Sequence, residues 1–252
     1  MRRALDAALV PLASLAALAA FCWPFLQAAV PADAQRAVPA LAIAAAVVLA
    51  GAVAVSLAGG AQGAMLVAML GTLTAVGMVL RFLGTGFGGI ETALILLILA
   101  GRAFGPRFGF LLGATVMLGS ALLWGGVGPW LPFQVFAAGW VGAGAGLLPR
   151  WRAGGRVWAE LAMLAAYGVL ASYLFGLLMN VWFWPFAVGG GTSISYDAGA
   201  GPGGNLVRFL MYSLVSSTLT WDTVRAVTTA AGLLAIGRPV LAALRRSPLG
   251  RT

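Results

Sequence analysis

Few residues of this chain are equipped for chemistry, and their types narrow what that chemistry can be. The 252 residues include no His, no Lys and a single Cys, Cys22. A His-based triad, a His/Cys zinc site, a lysine Schiff base and an internal disulfide are therefore out of reach. So is the lysine of a Walker A phosphate loop, and any ATP-driven work must be powered by another chain. No catalytic residue, metal ligand set or cofactor is expected, and the chain is not read as an enzyme. What remains suits binding. One glycine-rich stretch, Arg81-Phe82-Leu83-Gly84-Thr85-Gly86-Phe87-Gly88-Gly89-Ile90-Glu91, is flanked by a cation and an anion, and reads either as the lining of a pocket or as an exposed connector. A second, Trp124-Gly125-Gly126-Val127-Gly128-Pro129-Trp130-Leu131-Pro132-Phe133-Gln134, mixes glycine with aromatic and amide side chains. A third runs from Asn180 through Trp182, Trp184 and Pro185 to Ser195, Tyr196, Asp197, Asn205 and Arg208, and is expected to be the longest irregular stretch. Taken singly, each Trp or Tyr reads as a membrane-interface anchor. Gathered on one side, they suit a mouth that closes over a small molecule. The candidate ligand-contacting residues are Phe87, Glu91, Trp130, Gln134, Asn180, Trp184, Tyr196, Asn205 and Arg208.

A second kind of signal is charge among apolar residues. Trp221-Asp222-Thr223-Val224-Arg225 puts an acid and a base three apart on one helix face, a pair that is costly in lipid and should face protein. It reads as a mutually neutralising pair that orients the helix or docks a partner, or as part of a proton or ion relay, for which no further acid lies nearby.

The elements that hold these residues follow from composition. The chain is 62% hydrophobic and 8% charged, against roughly 45–50% and 25% in soluble domains, too few charges for a water-facing surface. All fifteen cations are Arg, and most cluster at the ends of apolar runs, which reads as membrane topology and not as nucleic-acid binding. A span needs about 20 mainly apolar residues to cross roughly 30 Å of hydrocarbon at 1.5 Å per residue. Runs of that kind lie at about residues 8–30, 38–58, 62–80, 90–103, 107–124, 131–149, 157–185 and 206–236, the fourth short enough to be tilted or partly broken. With the start inside, cytoplasmic segments carry Arg2, Arg3, Arg102, Arg107, Arg150, Arg152, Arg156, Arg238, Arg245, Arg246 and Arg251, and the opposite side only Arg36, Arg81 and Arg208. Both termini are expected to be cytoplasmic, in a cell membrane. The start is also compatible with a signal peptide, whose cleavage would leave the rest of the topology unchanged. Small residues recur four apart at Ala64 and Ala68, Gly71 and Ala75, Gly109 and Gly113, and Ala138, Gly142 and Gly146. Such stripes let helices approach closely, and in an Ala- and Gly-rich chain intramolecular packing is the plain reading of each.

Ala64-xxx-Ala68, then the turn Ala100-Gly101-Arg102-Ala103-Phe104-Gly105-Pro106-Arg107-Phe108-Gly109, then Asp222-xx-Arg225-Ala226 and Gly237-Arg238-Pro239-Val240-Leu241 before a basic tail, follow one another in order. Over residues 62–246 this order resembles the substrate-binding S component of an energy-coupling factor (ECF) vitamin transporter. The run Gly126-Val127-Gly128-Pro129-Trp130-Leu131-Pro132-Phe133 looks most like the cobalamin-type branch. The resemblance implies an all-α polytopic membrane bundle: a six-helix substrate-binding core at 62–246, an added pair of transmembrane helices at 1–61 and a cytoplasmic tail at 247–252. It implies capture of a vitamin-like molecule from outside and association with a transmembrane T subunit and ATPase subunits, with docking at Ala64, Ala68 and Gly71. The N-terminal pair departs from the family's six helices, as does Thr229, where a polar amide would be expected. A stand-alone secondary transporter should show an internal repeat, which is not evident; a purely structural membrane protein would leave the one-sided gathering of polar and aromatic residues unexplained. The topology has a direct check: in a Cys22→Ser background, Ser193→Cys should react with an impermeant thiol reagent outside intact cells and Ser247→Cys should not, and the reverse pattern overturns it.

Overall fold

The structure, a computed structural model, describes residues 14–15, 17–19, 21–26, 61–84, 88, 90–124, 126–128, 130–149, 157–247 and 249. Among these there is helix, turn and loop but no strand. A short helix α1 (Trp23–Leu26) is followed by α2 (Ala61–Gly84), α3 (Ala93–Phe104), α4 (Pro106–Trp124), α5 (Leu131–Leu147), α6 (Val157–Ala187) and α7 (Gly201–Ser213). α7 continues without a break through a π-helical stretch, Leu214–Asp222, into α8 (Thr223–Arg246). Among the described residues four helical stretches are long and apolar enough to cross a membrane: Gly63–Gly84, Pro106–Trp124, Val157–Ala187 and Gly201–Arg246. The two shorter apolar helices, α3 and α5, sit inside the bundle. With 12 residues, α3 is about 18 Å long, well under the hydrocarbon thickness. It is tolerated because it is buried on nearly every side, from Ala93 to Arg102, against α4, α5, α6 and α8. The last span is longer than hydropathy suggests, opening at Gly201 and closing at Arg246. The expected pair of N-terminal transmembrane helices lies for the most part outside the described residues.

The stripes of small residues explain the tightest packing. A Cβ placed on Gly109 would collide with the carbonyl of Gly142, and one on Gly142 with the carbonyl of Gly109. Gly113 meets the Ala138 backbone and Gly146 the Pro106 backbone in the same way, so α4 and α5 touch backbone to backbone along their length. The stripe on α2 behaves differently. Ala64, Ala68 and Gly71 are exposed, a Cβ at Gly71 meets nothing, and only 11% of this span's apolar window is buried, against 61% in α4.

Two ion-pair clusters mark the two ends of the bundle. At one, Glu160 near the start of α6 accepts from Arg102 Nε of α3 at 2.7 Å and from Arg245 Nη2 of α8 at 2.6 Å. Arg102 also donates to the Leu148 carbonyl at 2.9 Å, tying in the end of α5. At the other, Arg81 of α2 donates to Ser120 Oγ of α4 at 2.6 Å and to Gln134 Oε1 of α5 at 3.3 Å, and lies 4.0 Å from Glu91. With 31 residues, α6 is about 46 Å long and reaches from one end to the other.

The described N-terminal residues pack onto this bundle. Phe21 is fully buried, stacked on Phe133 at 4.4 Å and edge-on to Trp140 at 5.4 Å. Trp140 Nε1 donates to Ser14 Oγ at 3.0 Å. The contrast between the stripes yields an expected outcome. Gly142→Leu must force two backbones apart, where overpacking costs about 1–3 kcal/mol or more, and should abolish a monodisperse folded peak on size exclusion in detergent. Gly71→Leu, facing open space, should leave that peak intact; equal behaviour of the two would contradict the contact.

Candidate functional site

The candidate residues gather at the Arg81 end, but in three separate groups. Glu91 and Gln134 belong to the Arg81 cluster, where Thr92 Oγ1 also donates to the Leu80 carbonyl at 2.6 Å and ties the loop back to α2. Trp130 stands at the N-cap of α5, 40% exposed, its Nε1 donating to the Gly126 carbonyl at 3.2 Å. Phe87 lies outside the described residues.

The second group forms around the loop at 188–200. Sequence reasoning extended this irregular stretch from Asn180 to Arg208, whereas α6 runs on to Ala187 and α7 begins at Gly201. The reasons are local. Pro185 falls within the last turn of α6, and Pro202 stands in the first turn of α7, where a missing N–H costs nothing. Asn205 and Arg208 therefore project from a helix and hold the loop. Asn205 is buried; its Oδ1 accepts from the Asp197 amide at 3.0 Å and its Nδ2 donates to the Asp197 carbonyl at 2.8 Å. Arg208 Nη1 donates to the Thr192 carbonyl at 3.0 Å and to the Ser195 carbonyl at 3.4 Å, and Nη2 lies 3.4 Å from Asp197 Oδ2. Ser195 Oγ donates to the Gly189 carbonyl at 2.6 Å. Beneath the loop Trp184 is fully buried, with Nε1 donating to the Ile194 carbonyl at 2.7 Å and Tyr196 edge-on to its ring at 5.6 Å.

This stitching leaves an open polar cavity of about 530 Å³ lined by the loop from Gly191 to Ala198 and by Arg208. Such a volume falls within the roughly 300–1,000 Å³ of small-molecule sites. Of the candidates, Tyr196 and Arg208 line it, while Trp184 and Asn205 support its wall from behind. Thr192, Ser193, Ser195 and Asp197 also line it, and sequence reasoning did not single them out as contacts. The run Gly189-Gly190-Gly191-Thr192-Ser193, with Asp197 four residues on, is the available signal.

The third group is deeper. Asn180 Nδ2 donates to Ser217 Oγ at 2.6 Å, and Ser217 Oγ donates to Asp222 Oδ2 at 2.9 Å. Asp222 is buried and accepts from Arg225 Nη1 at 2.6 Å, while the Arg225 guanidinium sits 5.2 Å from the Phe175 ring centroid. A Cβ at Gly176 would strike the Asp222 carboxylate, so that glycine makes the room the acid occupies. The π-helical stretch ends on Asp222, and Thr223 Oγ1 donates five residues back to the Thr218 carbonyl at 2.7 Å. Asn180 is thus tied into a partly buried polar chain that runs from α6 through the π-helical stretch to α8, and it does not line the cavity.

No family model, curated protein or solved structure matches the chain. Among the described residues no three His, Cys, Asp or Glu side chains gather as a metal site. The burial difference between the two candidate tryptophans has a measurable consequence. Trp184→Ala, emptying a fully buried site, should cost about 3–5 kcal/mol, whereas Trp130→Ala at an exposed site should fall within about 0.5 kcal/mol. Thermal unfolding of the two variants side by side checks the order, and an equal loss would remove Trp184 from the wall.

Proposed function

We propose that the chain is the substrate-specific membrane subunit of an ECF-type importer, capturing a vitamin-like molecule in the cavity beneath the 188–200 loop and delivering it inward with a T subunit and ATPases. The observation that carries this reading is the polar cavity itself, built from a cation, an anion, hydroxyls and an aromatic ring, at the end of the bundle opposite the Arg102–Glu160–Arg245 cluster. With most Arg clusters in the sequence falling at the Glu160 end, the positive-inside tendency puts that end in the cytoplasm and the cavity outside. The absence of any lysine for an ATP-binding loop agrees with energy supplied by separate subunits. A volume of about 530 Å³ favours a compact ligand over a corrinoid. The T subunit would dock on α2, whose Ala64, Ala68 and Gly71 are exposed in a span that buries little of itself against its own bundle. A stand-alone secondary transporter or a structural membrane protein is the competing reading, and neither requires that exposed face.

The test joins binding to assembly. Screening purified protein against a panel of water-soluble vitamins by thermal shift should find one that raises the melting temperature, because a ligand bound by the folded state alone stabilises it. Ala64→Leu with Ala68→Leu should leave that shift intact while abolishing co-purification with the T subunit and uptake by cells. Uptake that persists in the double variant would sink the docking face, and a panel without any shift would count against the vitamin reading.

A further inference from the structure

The N-terminal residues stand outside the six-helix reading, yet they reach the cavity wall. Phe25 lies parallel to the Trp184 ring, with centroids 6.0 Å apart, and edge-on to Phe209 at 5.6 Å. Trp184 and Phe209 contact one another at 5.5 Å. The three rings form one cluster joining α1, α6 and α7. Both partners of Phe25 meet the 188–200 loop: Trp184 through its bond to the Ile194 carbonyl and its edge contact with Tyr196, and Phe209 through the shared apolar cluster against which Val188, Ile194 and Tyr196 pack. Four residues earlier in the chain, Phe21 is fixed independently in a separate cluster on α5. The segment is therefore anchored at one point and inserts a ring under the cavity at another.

We propose that Phe25 is a positioning residue of the cavity, and that the N-terminal segment braces the 188–200 loop through the stacked Phe25–Trp184 pair and the edge contact of Trp184 with Tyr196, without touching the ligand. Without its ring, Trp184 loses its stacked neighbour on one face, the bond to Ile194 loses its fixed donor, and the loop samples open conformations more often. On this account the added N-terminal region is part of the machinery that shapes the cavity. The inference rests on reading that cavity as the ligand site only for its functional meaning; the brace itself is a property of the free protein and is tested there.

Hydrogen exchange on the full-length protein in detergent, with no ligand added, reads the brace directly. The Ser195 and Ala200 amides, bonded to the Thr192 and Asp197 carbonyls, are the reporters. Phe25→Ala should speed exchange in peptides covering 188–200 about ten-fold, leave peptides of 131–147 unchanged because Phe21 still holds α5, and be reversed by Phe25→Tyr, which restores the ring. If Phe25→Ala does not fold, Phe25→Leu keeps the apolar bulk without the stack and should show the same local acceleration. Unchanged exchange at 188–200, or acceleration spread evenly over the whole bundle, overturns the brace. Failure of the vitamin screen leaves this result standing, so the two readings fall separately.

Discussion

The backbone contact between α4 and α5 at Gly109 and Gly142 is the constraint on which the rest of the bundle depends. Two helices so close leave no room for side chains between them, and the space they vacate is taken by α3, whose own Gly101 meets the same Gly142 carbonyl. Since apolar side chains gain nothing by leaving lipid for one another, association inside a bilayer must come from close packing and internal hydrogen bonds. Here the glycines supply the first. They also account for a 12-residue helix in a membrane-type bundle: once α4 and α5 approach, α3 is enclosed, and its length no longer has to match the hydrocarbon thickness.

Charge placement follows a single rule. Each of the four acids among the described residues meets an arginine: Glu91 with Arg81, Glu160 with Arg102 and Arg245, Asp197 with Arg208 and Asp222 with Arg225. An unpaired charge in lipid is costly, while one shared between helices fixes their register. The pairs differ in depth and therefore in consequence. Glu160 joins three helices through a nearly buried Arg102, and Asp222 sits in a notch that Gly176 keeps open. Replacing Glu160 alone strands the buried Arg102 guanidinium and replacing Asp222 alone strands the partly buried Arg225, so these pairs set geometry more than they add net stability.

Much of the architecture was legible from hydropathy. The spans expected at 62–80, 107–124, 131–149 and 157–185 agree with helices Ala61–Gly84, Pro106–Trp124, Leu131–Leu147 and Val157–Ala187 to within a few residues, because runs this apolar leave no alternative to helix in hydrocarbon. The site was less legible for specific reasons. Asn205 and Arg208 read as loop in the sequence because glycine and proline crowd 199–204, yet Gly201 and Pro202 open α7. Trp184 and Asn205 read as contacts in the sequence; in the structure one is buried beneath the loop and the other bonds its amide to the Asp197 backbone. Sequence spacing shows which residues are polar or aromatic and not which side of a wall they occupy. The docking of Phe21 and Phe25 was beyond reach altogether, since contacts across more than a hundred residues leave no periodic trace.

The bonding around Arg208 decides how firmly its guanidinium is held at the cavity. The Thr192 carbonyl holds the guanidinium at 3.0 Å, while its contacts to the Ser195 carbonyl and to Asp197 are both long at 3.4 Å, and the Asp197 pair is partly exposed. A pair of that kind contributes roughly 0–1 kcal/mol. If the cavity is the ligand site proposed above, an incoming carboxylate or phosphate would replace Asp197 at little cost and find a cation already oriented, which is how preorganisation converts contacts into affinity. The displaced Asp197 carboxylate still accepts from the Gly199 amide at 2.9 Å, and its backbone remains clamped by Asn205. Under that proposal the loop would exchange an internal ion pair for a ligand's anion without unravelling, provided that the wall behind it, Trp184 with its ring neighbours, stays in place.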